Sequence, residues 1–315
     1  MSDGYAALDA AYAAARWGWY IAAFLVLGAG SYAPFLFRAR AGVDAIEADF
    51  TEDRTRRAAG IGFFAALALL TLTALRLYLQ TRTLIDPSEP ISTELLGAVL
   101  ASDWGHGWIR QASMAGVSTV AFAAARRGSR FGWMLGFGAG GGLALVAGMT
   151  GHATTEKSGP YGSLLDAAHV WAGGLWLGGL AVLLLAGLSA AGRLPESRRG
   201  PAVRAMVADF SRRALILAPL TVGLGVWLAA RYLGWSFPWH LFSSSYGVVL
   251  FIKVVALVVM GGIGVYNWRV VQPGLAHPPG ERRLRSSGWL EVLFGVLLLA
   301  ATAVLVALPI PGDGM

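Results

Sequence analysis

Long apolar runs separated by short polar loops constrain the fold of this chain more than any other feature. A bilayer core needs about 20 mostly apolar residues per helix, and lipid cannot satisfy the backbone groups of an open strand. Each run of that length therefore predicts a transmembrane helix, and the expected fold is all-α: a bundle of eight spans in a single domain covering residues 1–315. The runs cover residues 12–37, 61–81, 104–125, 131–151, 163–188, 212–233, 247–271 and 288–308.

The third run is the weakest of the eight, because Arg110 and Gln111 interrupt it. The segment before it, STELLGAVLASD, could form a short helix lying at the membrane interface. The chain starts MSDGYAALDAAYAAAR, with acids where a cleavable signal has basic residues, so we expect the first span to be retained.

The distribution of basic residues predicts the orientation. The loops after the first, third, fifth and seventh runs carry 18 of the 25 lysines and arginines. By the positive-inside rule these loops are cytoplasmic, which places both termini outside. The sequence pI of about 10.0 then reflects topology and contact with anionic lipid. Nucleic acid is not an expected partner, because the arginines are divided among four separate loops.

Two absences narrow the function. The chain has no cysteine, which excludes disulfides and thiolate metal sites. It also has no GxxxxGK[ST] motif, so no Walker-type nucleotide site is expected. Any transport would have to use a gradient, a partner or passive flow.

The fifth run carries polar residues on one face. Asp166, His169, Gly173 and Trp176 recur at i, i+3, i+7 and i+10, which aligns them along a helix. The Asp166 carboxylate could accept the second N–H of His169 and orient its other nitrogen toward a metal, or it could cap the helix.

Histidines near the predicted outer side indicate a metal site. An ionisable residue inside a span, such as His169, is a functional-site hypothesis by default. His152 precedes it on the adjacent antiparallel helix, Met149 lies three residues earlier, and His106 could supply a third imidazole. Thioether and imidazole ligands together suit copper, particularly Cu(I), whereas imidazole alone would also admit zinc or nickel.

Other charged residues lie inside the spans. Lys253 could pair with Asp166 or Asp103, or act as a gate. Glu291 and Asn267 lie nearer the inner side and could form an exit station for an ion.

These residues also carry a family resemblance. The motifs DAAHVWAGGLWLGGL, DFSRRALILAPLTVGLGVW, SYGVVLFIKVVALVV, YNWRVVQP and LRSSGWLEVLFGVLLLAATAVLVALPIP resemble, in this order, the copper resistance D (CopD/PcoD) family of bacterial inner-membrane proteins. The likeness is strongest over residues 150–310 and extends more weakly to ARWGWYIAAFLVLGAG and SDWGHGWIRQ. His152 and His169 match the family's two histidines around the outer loop, and Trp176 and Gly178 match its WxGG signature.

The resemblance implies a multi-pass inner-membrane protein that moves copper from the periplasm toward the cytoplasm, often with a periplasmic CopC-like partner. The chain contains no CopC-like domain, so we expect capture by a separate partner or by direct binding. The expected function is copper import or homeostasis with a Cu(I) or Cu(II) ion, without enzymatic activity. Alternatives are copper delivery to a membrane enzyme and, less well matched, haem binding by two histidines on neighbouring helices.

Overall fold

The structure, a computed structural model, describes residues 2–33, 44–86, 88–150, 159–233, 242, 244–276 and 278–308. Within these ranges the chain is helical and contains no strand. Its α-helices are α1 Ser2–Gly30, α2 Ala45–Arg82, α3 Thr93–Ala101, α4 Asp103–Ala125, α5 Arg130–Thr150, α6 Gly159–Gly173, α7 Gly179–Val182, α8 Leu188–Ala191, α9 Glu196–Leu233, α10 Ser245–Tyr266 and α11 Pro278–Leu305. Three π-helical segments join or extend them: π1 Gly174–Gly178, π2 Leu183–Gly187 and π3 Asn267–Val271.

The predicted runs coincide with helices, which confirms an all-α, multi-pass membrane architecture. Among the described residues, six helical segments are long and apolar enough to cross a membrane. The third and fourth runs coincide with α4 and α5, which have 23 and 21 residues. At 1.5 Å per residue these helices are about 34 and 31 Å long, enough to span the bilayer core. The count of eight spans stays a prediction, since α4 carries charged groups in its first half.

Four helices begin well before their apolar runs: α1 at Ser2, α11 at Pro278 and, by the largest margin, α2 and α9. α2 and α9 each have 38 residues and begin at Ala45 and Glu196, where the sequence suggested polar loops. The Asp44 side chain caps α2 by accepting a hydrogen bond from the Glu47 backbone N–H at 2.9 Å. The added turns are rich in alanine, glutamate and arginine, which are strong helix formers. The segment STELLGAVLASD does contain a short helix, α3.

Ion pairs gather the starts of three helices at one end of the bundle. Arg199 at the start of α9 binds Glu281 of α11 with two hydrogen bonds of 2.7 and 2.6 Å. Arg198 lies 2.7 Å from Asp44, which caps α2. We call this end the basic side, because the arginine-rich loops lie there, and the opposite end the outer side. The basic side is the one predicted to face the cytoplasm.

The run of residues 159–191, from α6 to α8, forms the centre of the bundle. In the most apolar 18-residue stretch of this run, 83% of the residues are buried inside the protein. In the corresponding stretches of Glu196–Arg231 and Ser245–Val271, only 11% are buried. α1 packs along π1 and α7, while α5 and α9 pack against α6. The first turns of this central run therefore place Asp166 and His169 near the outer side, within the bundle.

Candidate functional site

His169 is held by the backbone of a neighbouring helix. Its Nδ1 atom lies 2.9 Å from the carbonyl oxygen of Thr221 on α9. A carbonyl oxygen can only accept a hydrogen bond, so Nδ1 carries a proton, and in the neutral imidazole Nε2 then keeps its lone pair. The Thr221 hydroxyl donates to the Leu217 carbonyl at 2.7 Å, so it does not compete for the imidazole. The hydrogen bond thus fixes the tautomer of the neutral His169 imidazole, in which Nε2 is the atom able to bind a metal.

Gly225, one turn after Thr221, makes room for the imidazole ring. A Cβ atom at this position would lie 3.0 Å from Cε1 of His169 and 3.4 Å from Nδ1. Such distances are tighter than ordinary van der Waals contacts, so any side chain here would displace the ring. α9 therefore supplies both the hydrogen-bond acceptor and the space that orient His169.

The hydrogen-bond acceptor at Nδ1 of His169 is the Thr221 carbonyl group and not the Asp166 carboxylate that the helical spacing suggested. Asp166 lies one turn before His169 on α6, yet its electrostatic partner is Lys253 of α10. Lys253 also acts electrostatically on His169. Of the two acids predicted as partners of Lys253, Asp166 lies within electrostatic range of the lysine without forming an ion pair with it, and Asp103 is exposed in the first turn of α4.

Tyr20 of α1 completes the surroundings of Asp166. It is influenced electrostatically by Asp166, Arg16 and Arg76. Arg76 donates a hydrogen bond to Oε1 of Gln111 at 2.9 Å, which ties α2 to α4 on the same side of the bundle. The outer half of the bundle therefore contains a polar cluster to which α1, α2, α4, α6 and α10 contribute side chains.

Trp176 belongs to an apolar part of the interior. It lies in π1, is 7% exposed and clusters with Leu177, Met260 and Leu299. Trp176 lies deeper in the bundle than His169, so its ring borders the apolar interior on the inner side of the polar cluster.

The other predicted ligands are distributed as follows. His106 is exposed in the first turns of α4, a helix that packs mainly on α2 and α5. Met149 lies in the last turn of α5, with its side chain outside the described part of the structure, and His152 lies outside the described residues altogether. Within the described ranges, no three histidine or acidic side chains form a group able to hold a metal ion.

Several residues of this region were not identified from the sequence. Thr221 contributes its backbone carbonyl group, and Gly225 contributes space because it has no side chain. Neither contribution can be recognised from a pattern of residues in the sequence. Tyr20 lies in an apolar run of aromatic residues, where nothing marks it as a neighbour of Asp166. These contributions depend on which helices pack together.

Two family models match the chain. The model of the copper resistance protein D-like N-terminal domain matches residues 7–162, and the model of copper resistance protein D matches residues 204–305. The chain belongs to the copper resistance D family. Curated proteins and solved structures give no further match.

As a copper resistance D protein, the chain is a multi-pass membrane protein associated with copper resistance, in contact with the lipid bilayer. The matched ranges include His106 and His152 on one side and Thr221, Gly225 and Lys253 on the other. Asp166 and His169 lie between the two matched ranges. Their roles therefore rest on the geometry and not on the family models.

Proposed function

We propose that this copper resistance D protein takes copper from the periplasm and passes it into or across the bacterial inner membrane. The observation that carries the proposal is the anchored His169, whose Nδ1 binds the Thr221 carbonyl and whose Nε2 remains available. The hydrogen bond fixes both the tautomer and the orientation of the imidazole before a metal arrives. A freely rotating imidazole would lose conformational entropy on binding, which would weaken the affinity for the metal.

The proposed ligands of copper are His169, His152, Met149 and His106. Imidazole and thioether donors suit Cu(I), and the imidazoles also accept Cu(II). Copper is the cargo of this site, so the ligand set has to release it as well as bind it. A site completed only when the outer ends of α4, α5 and α6 approach one another would meet this requirement.

Charged neighbours are proposed to balance the ion. A cation at His169 would be repelled by the positive charge of Lys253, and the negative charge of Asp166, which is within electrostatic range of both groups' helices, would offset part of this repulsion. Asp166 and Lys253 are therefore proposed to tune and gate the site. Trp176 is proposed to close the apolar interior below it, and Asp103 to attract cations at the outer surface.

The membrane location and the copper donor that we propose are those that the family resemblance implies. We infer that the protein works in the inner membrane as a single domain, because α1 and α11, from opposite ends of the chain, pack together. A periplasmic CopC-like protein is the proposed copper donor. No chemical reaction is proposed for the chain, and delivery of copper to a membrane enzyme is the alternative to import.

Copper binding and uptake by the purified protein test this proposal. The protein in proteoliposomes is loaded with Cu(I) buffered by a chelator, and bound and internal copper are measured for the native chain and for His169→Gln. His277→Gln is the control, since His277 lies in a predicted cytoplasmic loop. We expect the native chain and the control to bind and accumulate copper, and His169→Gln to lose both. Binding without accumulation would support delivery over import, and equal binding by all three proteins would exclude the site.

A further inference from the structure

A second polar cluster lies in the half of the bundle near the basic side. Glu291 of α11 is 5% exposed, and its Oε2 atom accepts a hydrogen bond from Nδ2 of Asn267 at 3.2 Å. Asn267 begins π3, directly after α10. Gly264, one turn earlier on α10, faces the other carboxyl oxygen: a Cβ there would lie 3.4 Å from Oε1. A buried carboxyl group thus lies against an amide, at a point where the α10 backbone changes its helical repeat.

Ser287 extends this cluster along α11. Its hydroxyl group lies within hydrogen-bond distance of Oδ1 of Asn267 and of the Arg283 carbonyl oxygen, which is 2.7 Å away. A hydroxyl group has one proton, so Ser287 can donate to only one of these two acceptors at a time. Hydrogen bonds therefore link Ser287, Asn267 and Glu291 in a row. The donors in this row can all point toward Glu291 or all point away from it.

Each direction matches one protonation state of Glu291. In the first, Ser287 donates to the Asn267 oxygen, and the Asn267 NH₂ group donates to a Glu291 carboxylate. In the second, Ser287 donates to the Arg283 carbonyl, the turned Asn267 amide donates to the Ser287 oxygen, and a protonated Glu291 donates to the amide oxygen. The amide has nearly the same shape after a half turn, so the second arrangement needs no backbone movement.

The charged groups around this cluster leave Glu291 without an ion-pair partner. The neighbouring elements carry Arg269 on π3, Arg283 and Arg285 on α11, and Asp209 and Arg213 on α9. Among the described residues, none of these groups forms an ion pair with Glu291, whose carboxyl group is buried and accepts a hydrogen bond from Asn267. Asp209 and Arg213 pair with each other at 2.9 Å, and Arg285 lies 3.7 Å from Glu281. A carboxyl group isolated in this way binds a proton far more readily than an ion-paired one.

The donor set also argues against copper at this position. Carboxyl, amide and hydroxyl oxygens suit hard cations, whereas Cu(I) favours thioether and imidazole ligands. The amide and hydroxyl oxygens are also engaged in hydrogen bonds within the cluster. A proton is the ligand that is compatible with both hydrogen-bond arrangements of this cluster.

We propose that Glu291, Asn267 and Ser287 form a proton-binding site in the half of the membrane bundle near the basic side. Glu291 takes one proton from water to become a carboxylic acid and returns it to water on release, and the Asn267 amide turns with each change. The proposal goes beyond copper handling and does not depend on it.

Infrared difference spectroscopy of the full chain in lipid nanodiscs, without copper, tests the site. Spectra at acidic and alkaline pH are subtracted, and the C=O band of a protonated carboxyl group is compared between variants. We expect Glu291→Gln to lose a band that the native chain shows. Glu196→Gln is the control, because Glu196 is exposed on the basic side, and it should keep that band. Asn267→Leu should shift the band, because the acid O–H loses its amide acceptor.

Three outcomes would overturn the proposal. Identical difference spectra for the native chain and Glu291→Gln would show that Glu291 does not exchange a proton. An unshifted band in Asn267→Leu would show that the amide takes no part. A band that changes when sodium replaces potassium at constant pH would indicate a metal-cation site instead. If Glu291→Gln does not fold, Glu291→Asp keeps the carboxyl group and should move the band, because its shorter side chain draws back from the amide.

Discussion

Gly28 of α1 and Gly178 of π1 cross with their backbones in direct contact. A Cβ atom at Gly178 would overlap the carbonyl oxygen of Phe24, and one at Gly28 would overlap the carbonyl group of Gly178. The atoms in the way belong to the backbone, so they cannot move aside as a flexible side chain can. This crossing fixes α1 against the central run that carries Asp166 and His169.

Alanine at Gly178 should therefore destabilise the bundle. Overpacking a close contact costs about 1–3 kcal/mol, and an obstruction by backbone should reach the upper part of that range. Thermal unfolding in detergent is expected to show a lower Tm for Gly178→Ala. Gly261→Ala on α10 is the control, since a Cβ there meets nothing within 4 Å. Equal Tm values for the two variants would contradict the packing described here.

The space beside His169 offers a test of the copper site in which none of the proposed ligand residues is replaced. In Gly225→Ala the added methyl group would displace the imidazole from its hydrogen bond with Thr221. Changes that disturb the orientation of a ligand typically weaken metal binding about 10- to 100-fold. Competition with a Cu(I) chelator should detect this loss. Gly223→Ala changes the same helix at a position with nothing within 4 Å and should bind copper as the native chain does.

The pair Asp166 and Lys253 should behave as a coupled unit. Asp166→Asn leaves Lys253 without its compensating charge, and Lys253→Met does the reverse. Each single change should lower thermal stability, and the double variant should lose less than the sum of the two. Interaction energies of residues that share one network are about 0.5–3 kcal/mol. Strictly additive losses in this cycle would mean that the two groups do not interact.

A buried hydrogen bond between α1 and α2 predicts a stability loss away from the copper site. Nε1 of Trp19 donates to the Thr73 hydroxyl at 2.9 Å, and that hydroxyl donates to the Leu69 carbonyl. Thr73→Val keeps the shape but leaves the Trp19 N–H without an acceptor, which costs about 1–3 kcal/mol.

Thr71 supplies the matched control for this change. It makes the same bond to the carbonyl four residues earlier, yet its side chain is exposed. Thr71→Val should leave the Tm almost unchanged. A loss as large as that of Thr73→Val would show that the cost arises within α2 and not from Trp19.

The absence of cysteine makes the predicted topology easy to test. Glu89→Cys lies between the second and third predicted spans, and Arg127→Cys lies between the third and fourth. In intact cells with a permeable outer membrane, a membrane-impermeant maleimide should label position 89 at once. Position 127 should be labelled only after the inner membrane is opened. Immediate labelling of both positions would mean that α4 does not cross the membrane and that the count of eight is too high.

Much of the fold could be predicted from the sequence because the bilayer imposes a length on every span. The apolar runs located all the membrane helices that the structure describes, and the basic loops gather on one side as their arginines suggested. The starts of α1, α2, α9 and α11 were missed, because the apolar run ends where the polar residues begin while the helix continues through them.

The candidate site was predictable only in part. His169 was recognisable as an ionisable residue inside an apolar run, and Lys253 by the same reasoning. The acceptor at Nδ1 was not, because it is a backbone carbonyl 52 residues away on another helix. Asp166 lies one turn before His169, yet Nδ1 of His169 is hydrogen-bonded to Thr221, and helical spacing alone does not reveal which neighbouring helix packs against that imidazole.

The sequence by itself determined that this chain is a helical membrane protein, and it predicted a basic side with histidines concentrated toward the opposite side. Both properties follow from local composition, since each span meets the same lipid whatever its neighbours are. Only the tertiary structure decided that Thr221 and Gly225 orient His169, that Lys253 of α10 lies within electrostatic range of Asp166, and that Glu291 shares a hydrogen-bonded cluster with Asn267 and Ser287. These relationships depend on which helix faces lie together, and the packing of backbone against backbone at Gly28 and Gly178 is part of what sets them.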